Sequence, residues 1–398
     1  MEKIRKTIDF AIERFFGKNH LAELLICKTG HINHTYFLRI NNGKRLGHHV
    51  LQKINGNIFK KPVQVMENID KVTSHIRKKY ENAGINPSRQ VLTLVPTVTG
   101  EKWFVDKNNT VWRTYLFIEK ATTYDVAQST DQAYQAAKSF GEFTSLLSDL
   151  PINQLHETIP DFHNTPKRFE QFEQAVLNAS KKRIASAKKE IGFANSRKNI
   201  TSVLTDCLTA GTMKLRVTHN DTKLNNVMID DNSGKGICVI DLDTVMPGLA
   251  LYDFGDCVRT ATPTGEEDER NLDLIKMDIK MFDALVRGYL ESAGKSLSLK
   301  EIELLAFSGK LITYEIGLRF LADHLNGDIY FKTHRENHNL DRARVQFKLV
   351  QSMEEQEEAM NEIVRKIWNN GNYPPFQASL LDKEGSLSNN GVTPFSAS

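Results

Sequence analysis

Cysteine is scarce in this chain. Cys27, Cys207, Cys238 and Cys257 are scattered over 398 residues without paired or metal-ligand spacing. That argues against a disulfide framework and a thiolate metal cage, and fits reduced thiols in a cytoplasm. Long apolar runs are missing too: none approaches the ~20 residues of a bilayer-spanning helix. The start, Met1-Glu2-Lys3-Ile4-Arg5-Lys6, has no apolar signal core. We therefore read a cytoplasmic protein with no membrane partner. Net charge is small, +3 at pH 7, and gives no reason to expect a nucleic-acid partner. No H-E-x-x-H spacing surrounds His48-His49, His334 or His338, and no Ser or Cys sits in a nucleophile elbow. No internal repeat is found, and nothing specifies an oligomeric state.

What is present is an ordinary globular mix, 40% hydrophobic and 25% charged, long enough for two lobes with a cleft. Ile4, Ile8, Ala11, Ile12 and Phe15 recur at helical spacing. Thr35–Ile40 reads as a strand, Asn41-Asn42-Gly43-Lys44 as its turn, and His49–Ile54 as the returning strand. Pro62 opens a helix whose apolar side carries Met66, Ile69, Val72 and Ile76. Gln90–Val95 and Val111–Phe117 read as further strands. From there the pattern turns helical: Gln132–Leu147, a long helix or helix pair over Phe169–Glu190, and Leu272–Asn369. The run Lys181-Lys182-Arg183 reads as a solvated face. The expectation is an α+β fold: a small antiparallel-sheet lobe at 1–119, a larger, mostly helical lobe at 120–376, and a mobile Ser-, Asn- and Gly-rich tail at 377–398.

The chemistry sits between Leu215 and Asp243. His219, Asp221 and Asn226 satisfy the H-x-D-x-x-x-x-N spacing of phosphoryl-transfer loops. In such a loop a carboxylate orients the attacking hydroxyl and takes its proton, here Asp221. An amide oxygen, here Asn226, helps to hold Mg2+ against the phosphates of ATP. Lys223 is placed to reach the transferring phosphate, and His219 to hold the loop. Val227–Asp230 and Ile237–Ile240 flank a turn-rich connection, so a hairpin returns Asp241 to Asn226 as a second metal ligand. Asp243 points the same way if the extended backbone persists. Asp253-Phe254-Gly255 spells a kinase metal motif, but Pro247 and Gly248 separate it from the hairpin. We assign Asp253 to bracing the loop through backbone hydrogen bonds.

The loop and the segment Val239-Ile240-Asp241-Leu242-Asp243-Thr244-Val245-Met246-Pro247-Gly248 resemble the aminoglycoside phosphotransferase and choline kinase superfamily. Within it the chain is most similar to N-acetylhexosamine 1-kinases. The resemblance runs from Gly30-His31-Ile32-Asn33 to His338-Asn339-Leu340-Asp341-Arg342-Ala343-Arg344. It implies a bilobal protein-kinase-like fold, ATP with Mg2+, and phosphorylation of the anomeric hydroxyl of GlcNAc or GalNAc. Asp221 matches the base, and Asn226 and Asp241 the metal ligands. His31, Arg319 and Tyr330 match positions that contact the sugar, with Asp241 nearby.

Several binding residues are weighed on chemistry as well. Gly30–Tyr36 lies where a kinase covers the phosphates, but its single glycine makes it no Walker loop. Lys53 on the returning strand and Glu67 on the next helix are candidates for the strand-lysine and helix-carboxylate pair that steadies ATP. Gln52 faces opposite to Lys53, so one of the two enters the cleft. The backbone at Ile118, at the lobe junction, is the candidate for adenine. Arg319 lies in the apolar run Leu311–Leu321, where a buried arginine needs partners. Glu315 and Asp323, four residues either side, would give an internal ion pair; otherwise the guanidinium reads sugar hydroxyls. Tyr330 follows the Asn326-Gly327-Asp328 turn. The rivals are another small hydroxyl acceptor, a nucleotide-binding pseudokinase, and a nucleic-acid adaptor using Lys181–Lys189.

Overall fold

The computed structural model describes residues 2–18, 20–27, 32–41 and 46–371 of the chain. Helix α1 (Glu2–Phe16) precedes a five-stranded antiparallel sheet: β1 (Leu21–Ile26), β2 (His34–Asn41), β3 (Leu46–Lys53), β4 (Trp103–Val105) and β5 (Val111–Leu116). The spatial order is β1-β2-β3-β5-β4. Helix α2 (Pro62–Asn82) is inserted after β3 and starts, as expected, with proline in its first turn.

Period-two alternation gives this sheet two buried faces. Tyr36, Leu38, Ile40, Leu51 and Trp112 pack on Ile8, Ala11, Ile12 and Phe15 of α1. Val50 and Tyr115 point the other way, toward Met66, Ile69, Val72 and Ile76 of α2. Each buried aliphatic side chain contributes roughly 1.5–3 kcal/mol. The phase of this alternation decides what enters the cleft, as shown below.

The larger portion holds α3 (Thr130–Leu146), α4 (Thr165–Asn178), α5 (Lys181–Ser186), α6 (Lys188–Asn195), α7 (Val203–Thr209), α8 (Ala250–Ala261) and α9 (Ile279–Ala293). It ends with α10 (Leu299–Glu303), α11 (Leu305–Leu325), α12 (His338–Glu355) and α13 (Glu357–Asn370). Helix α11 is apolar nearly all round and runs through the main core. Two small sheets carry the loop region: β6 (Ala121–Thr122) with β8 (Val227–Asp230) and β9 (Gly236–Val239), and β7 (Arg216–Thr218) with β10 (Met246–Gly248). The architecture is thus bilobal α+β. Among the described residues no helix is long and apolar enough to cross a membrane.

Two local expectations are corrected, and one further strand is found. Gln90–Val95 is not a strand: a single bridge joins Leu94 to Tyr115, flanked by Val95 N to Thr114 O at 2.8 Å. The same edge of β5 is already paired with β4 at Val111–Arg113, which leaves little edge to pair. Strand β1 has no strand pattern of its own: Leu-Ala-Glu-Leu-Leu favours helix by propensity, and pairing with β2 overrides it. Phe169–Glu190 falls in three helices. The chain turns extended at Ala179, and Ser180 caps α5 by accepting from Arg183 N. The turn residues Asn42-Gly43-Lys44 and the 377–398 tail lie outside the described residues.

Candidate active site

The loop from His219 to Asn226 is anchored at every turn. Strand β7 delivers it, paired with β10 at Thr218 and Met246. The His219 ring is fully buried, edge-on to Phe140 and Phe143 at 5.5 and 5.9 Å. Asp221 N donates to its Nδ1 at 3.2 Å. Its Nε2 lies 2.8 Å from Ile240 O. A backbone N–H can only donate and a carbonyl only accept, so Nε2 carries the proton. Asn220 is left-handed (φ 64°), a conformation asparagine tolerates, and its side chain donates to Thr244 O at 2.9 Å.

Asp253 braces this turn. Its two carboxylate oxygens accept from His219 N at 2.9 Å and Asn220 N at 2.7 Å. Phe254 is wholly buried in the main core. A Cβ at Gly255 would stand 2.5 Å from Ser308 O, so α8 can approach α11 only with glycine there. All three residues of the kinase-like triplet therefore have packing or bracing partners.

Asp221, Lys223, Asn226 and Asp241 come together. Lys223 Nζ lies 3.0 Å from Asp221 Oδ2. Burial works to lower the lysine's pKa, but the Asp221 charge and hydrogen bond leave it raised. Asn226 Nδ2 donates to Asp221 O at 2.7 Å and to its Oδ2 at 3.1 Å. With the amide nitrogen so used, Asn226 Oδ1 is the group free to ligate. The hairpin closes as expected: Val227 opposes Val239, and Ile240 N donates to Asn226 O at 2.9 Å. Asp241 follows immediately. As a residue Asp241 is exposed, but its carboxyl lies among dense protein. Burial, then Asp243 and Asp221, raise it to about 6, against Arg113 and Lys223.

Asp243 does not share this orientation. The extended backbone ends at Asp241, which is left-handed (φ 58°), and a tight turn over Leu242–Thr244 follows. Asp243 instead pairs with Arg113 of β5 and accepts from Asn33. Nor are Lys53 and Glu67 brought together. Lys53 is on the α1 face of the sheet, its Nζ 6.0 Å from the Trp112 ring centroid. Glu67 pairs with His156 at 2.6 Å. Gln52, on the α2 face, accepts from Arg113 Nε at 2.9 Å. Ile118 is buried in the core beside α2, next to the half-exposed Phe117, whose ring lies edge-on to Phe37 of β2 at 6.1 Å.

On the opposite side, Arg319 of α11 is only partly buried, and the expected ion pair is not formed. Glu315 pairs with His163 at 2.8 Å and accepts from Thr165 at 2.6 Å. Asp323 accepts from the backbone N–H of Ile329, Tyr330 and Phe331 and from Asn339 Nδ2, at 2.8–3.0 Å. The Arg319 guanidinium instead lies over Phe162 and Phe331, 5.4 and 5.7 Å from their ring centroids. Tyr330 is 63% exposed beside Phe331. Phe162 leads to His163, and His163 Nε2 lies 3.1 Å from Asn220 O, next to Asp221. His31 lies outside the described residues.

A profile of the phosphotransferase enzyme family APH matches residues 28–287. The chain belongs to this family. Among solved structures it is similar to an aminoglycoside phosphotransferase from Alicyclobacillus acidocaldarius, at TM-score 0.59 and 10% identity over 90% of this chain and 95% of that one. It is also similar to a choline kinase from Cryptosporidium parvum, at TM-score 0.52 and 14% identity over 91% and 97%. A third is an ethanolamine kinase from Plasmodium vivax, at TM-score 0.53 and 14% identity over 86% and 87%. At these identities the likeness is one of fold, which is kinase-like.

This APH-family chain carries three features that spacing did not reveal. Arg113 stood within a strand as one charge among apolar neighbours, a signal for a buried partner. His163, in Asp161-Phe162-His163-Asn164, belongs to no motif. Both of its ring nitrogens face acceptors, Glu315 Oε1 and Asn220 O, so both must carry protons. Burial opposes that charge, but Glu315 outweighs it and raises the imidazole pKa. Asp323 was read as a partner for Arg319, whereas it organises the loop bearing Tyr330.

Proposed function

We propose that this phosphotransferase is an ATP-dependent kinase that phosphorylates the anomeric hydroxyl of an N-acetylhexosamine, GlcNAc or GalNAc, giving the sugar 1-phosphate. The observation that carries phosphoryl transfer is the meeting of Asp221, Asn226 and Asp241 where the hairpin closes on the loop. In this reading Asp221 orients the acceptor hydroxyl for in-line attack and takes its proton. Lys223, already 3.0 Å from Asp221, steadies the transferring phosphoryl group. Asn226 Oδ1 and the Asp241 carboxylate would hold Mg2+, which supplies charge neutralisation at the phosphate oxygens. Two protein oxygens suit that ion, which is usually held by one or two carboxylates and the phosphates. The Ile118 backbone and the half-exposed Phe117 ring, with Phe37 edge-on to it, offer adenine a partly apolar seat.

The acceptor reading rests on Arg319. Among the described residues it forms no ion pair or hydrogen bond and keeps its guanidinium between two aromatic rings. The carboxylates of α11 and the following turn are all engaged: Glu315 by His163, Asp323 by backbone N–H groups, Asp328 by Arg183 at 2.7 Å. Among the described residues, a cationic acceptor would find no unengaged carboxylate on α11 or that turn. A neutral polyol with an amide carbonyl finds a donor fork and aromatic faces. His31, Arg319 and Tyr330 would hold the sugar against Asp221 in a near-attack geometry.

A second reading keeps the kinase and changes the acceptor. Structural neighbours include spectinomycin phosphotransferase in complex with ADP and spectinomycin, and choline and ethanolamine kinases. The engaged carboxylates beside Arg319 speak against that reading. An ATP-consumption screen over N-acetylhexosamines, hexoses, choline and aminoglycosides separates the two. Turnover with N-acetylhexosamines supports the proposal; no turnover with any sugar overturns it.

A further inference from the structure

The segment from Asp241 to Met246 is where four parts of the molecule meet. The Thr244 hydroxyl donates to His219 O at 2.7 Å, and Asn220 donates back to Thr244 O. Val245 O accepts from Asn68 of α2 at 2.9 Å. Asp243 is held by Arg113 of β5 and by Asn33, which precedes β2. Asn33 is itself fixed, accepting from Asn55 N at 3.0 Å. The Arg113 and Asp243 side chains are 1% and 4% exposed, so this ion pair is sealed from water.

A sealed pair of this kind is a poor device for stability alone. Removing one partner strands a charge, but a well-packed apolar pair would serve as well. A geometric use accounts for it better. Asp243 stands two residues after Asp241 and across a left-handed turn from it. Fixing Asp243 fixes the direction in which that turn aims the Asp241 carboxylate. The same carboxylate of Asp243 fixes Asn33, which belongs to the Gly30–Tyr36 stretch expected to cover the phosphates. Meanwhile the strand and helix positions that would carry a lysine-carboxylate pair are turned to other partners, Lys53 to Trp112 and Glu67 to His156.

We propose that Asp243 and Arg113 are positioning residues: their buried ion pair stands in for the strand-lysine and helix-carboxylate pair and holds Asp241 and Asn33 in register across the nucleotide cleft. The proposal rests on the kinase reading above and deepens it. It assigns Asp243 no metal contact.

The test compares full-length wild type, Asp243→Asn and Arg113→Lys. Calorimetry measures ADP affinity with and without Mg2+, and steady-state kinetics measures both KM values and kcat. Thermal melting confirms folding. For Asp243→Asn the Mg2+-dependent gain in ADP affinity should fall about tenfold or more, with Mg2+-free affinity within about twofold of wild type. The nucleotide KM should rise similarly and the acceptor KM stay within about twofold. Arg113→Lys, which keeps the charge but not the planar fork, should fall between that variant and wild type. It also serves if Asp243→Asn fails to fold. Folded variants with the wild-type Mg2+-dependent gain would overturn the proposal. So would loss in Asp243→Asn beside wild-type behaviour in Arg113→Lys, which would make Asp243 a metal ligand in its own right. A wild-type chain that binds no nucleotide would instead overturn the kinase reading beneath it.

Discussion

Replacing Asp253 with asparagine separates a metal ligand from a brace. Asp253 is 1% exposed and accepts from His219 N and Asn220 N with different oxygens. Asparagine keeps one acceptor and turns an NH2 group toward the other N–H. One charge-assisted bond, worth roughly 1.5–3 kcal/mol, is lost, and a buried donor is left unpaired. We take about 3 kcal/mol in total, since the two costs overlap. At roughly 2 °C per kcal/mol for a large chain, the melting temperature should fall by about 6 °C. The N–H groups concerned belong to the two residues before Asp221, and a displacement of about 1 Å at a reacting group costs on the order of 100-fold in rate. So kcat should fall steeply while Mg2+-dependent nucleotide affinity stays within about twofold of wild type. The assay pairs differential scanning calorimetry with nucleotide titrations. If Asp253→Asn loses Mg2+-dependent affinity as Asp241→Asn should, Asp253 is a metal ligand and the bracing account is wrong.

Three further outcomes follow from the acceptor side. The folded pKa of His163 is raised above 6.5 by its Glu315 partner. Its contribution to stability is therefore fully present below pH 6.5 and lost as pH rises through the folded pKa. The melting-temperature gap between wild type and His163→Gln should be wide near pH 6 and narrow by pH 9; a gap of constant width would contradict the charged-imidazole assignment. Asp323→Ala strips the acceptor from three successive backbone N–H groups, so the acceptor KM should rise about tenfold or more with the nucleotide KM unchanged, by steady-state kinetics. Arg319→Met keeps stem packing on Phe162 and Phe331 but removes the donors. It should cost about 2 kcal/mol in kcat/KM for the acceptor, and an equal loss with every acceptor tested would show a merely structural arginine.

Much of the fold was legible because periodicity fixes which residues share a face. The Ile8, Ala11, Ile12, Phe15 and Met66, Ile69, Val72, Ile76 stripes both found their cores. The hairpin that returns Asp241 to Asn226 was legible from two apolar runs about a turn-rich connection; Pro247-Gly248, expected to break the chain before Asp253, instead forms β10, whose pairing with β7 leads into α8, where Asp253 reaches the loop. Period without phase was the limit at Lys53. A strand tells that Gln52 and Lys53 face opposite ways, but only packing against α1 and α2 tells which enters the cleft. Arg113, His163 and Asp323 act through partners 130, 152 and 6–8 residues away in sequence. No local spacing encodes such contacts. Asp243 would face as Asp241 does only if the extended backbone persisted, and that backbone ends at Asp241, which is left-handed.

The most direct test of the account is to incubate the purified chain with ATP, Mg2+ and GlcNAc or GalNAc and to locate the new phosphate by phosphorus NMR. The account predicts a phosphate ester coupled to the anomeric proton, formed by wild type and lost in Asp221→Asn. A phosphate on any other hydroxyl, or an anomeric phosphate still formed at the wild-type rate by Asp221→Asn, would contradict it.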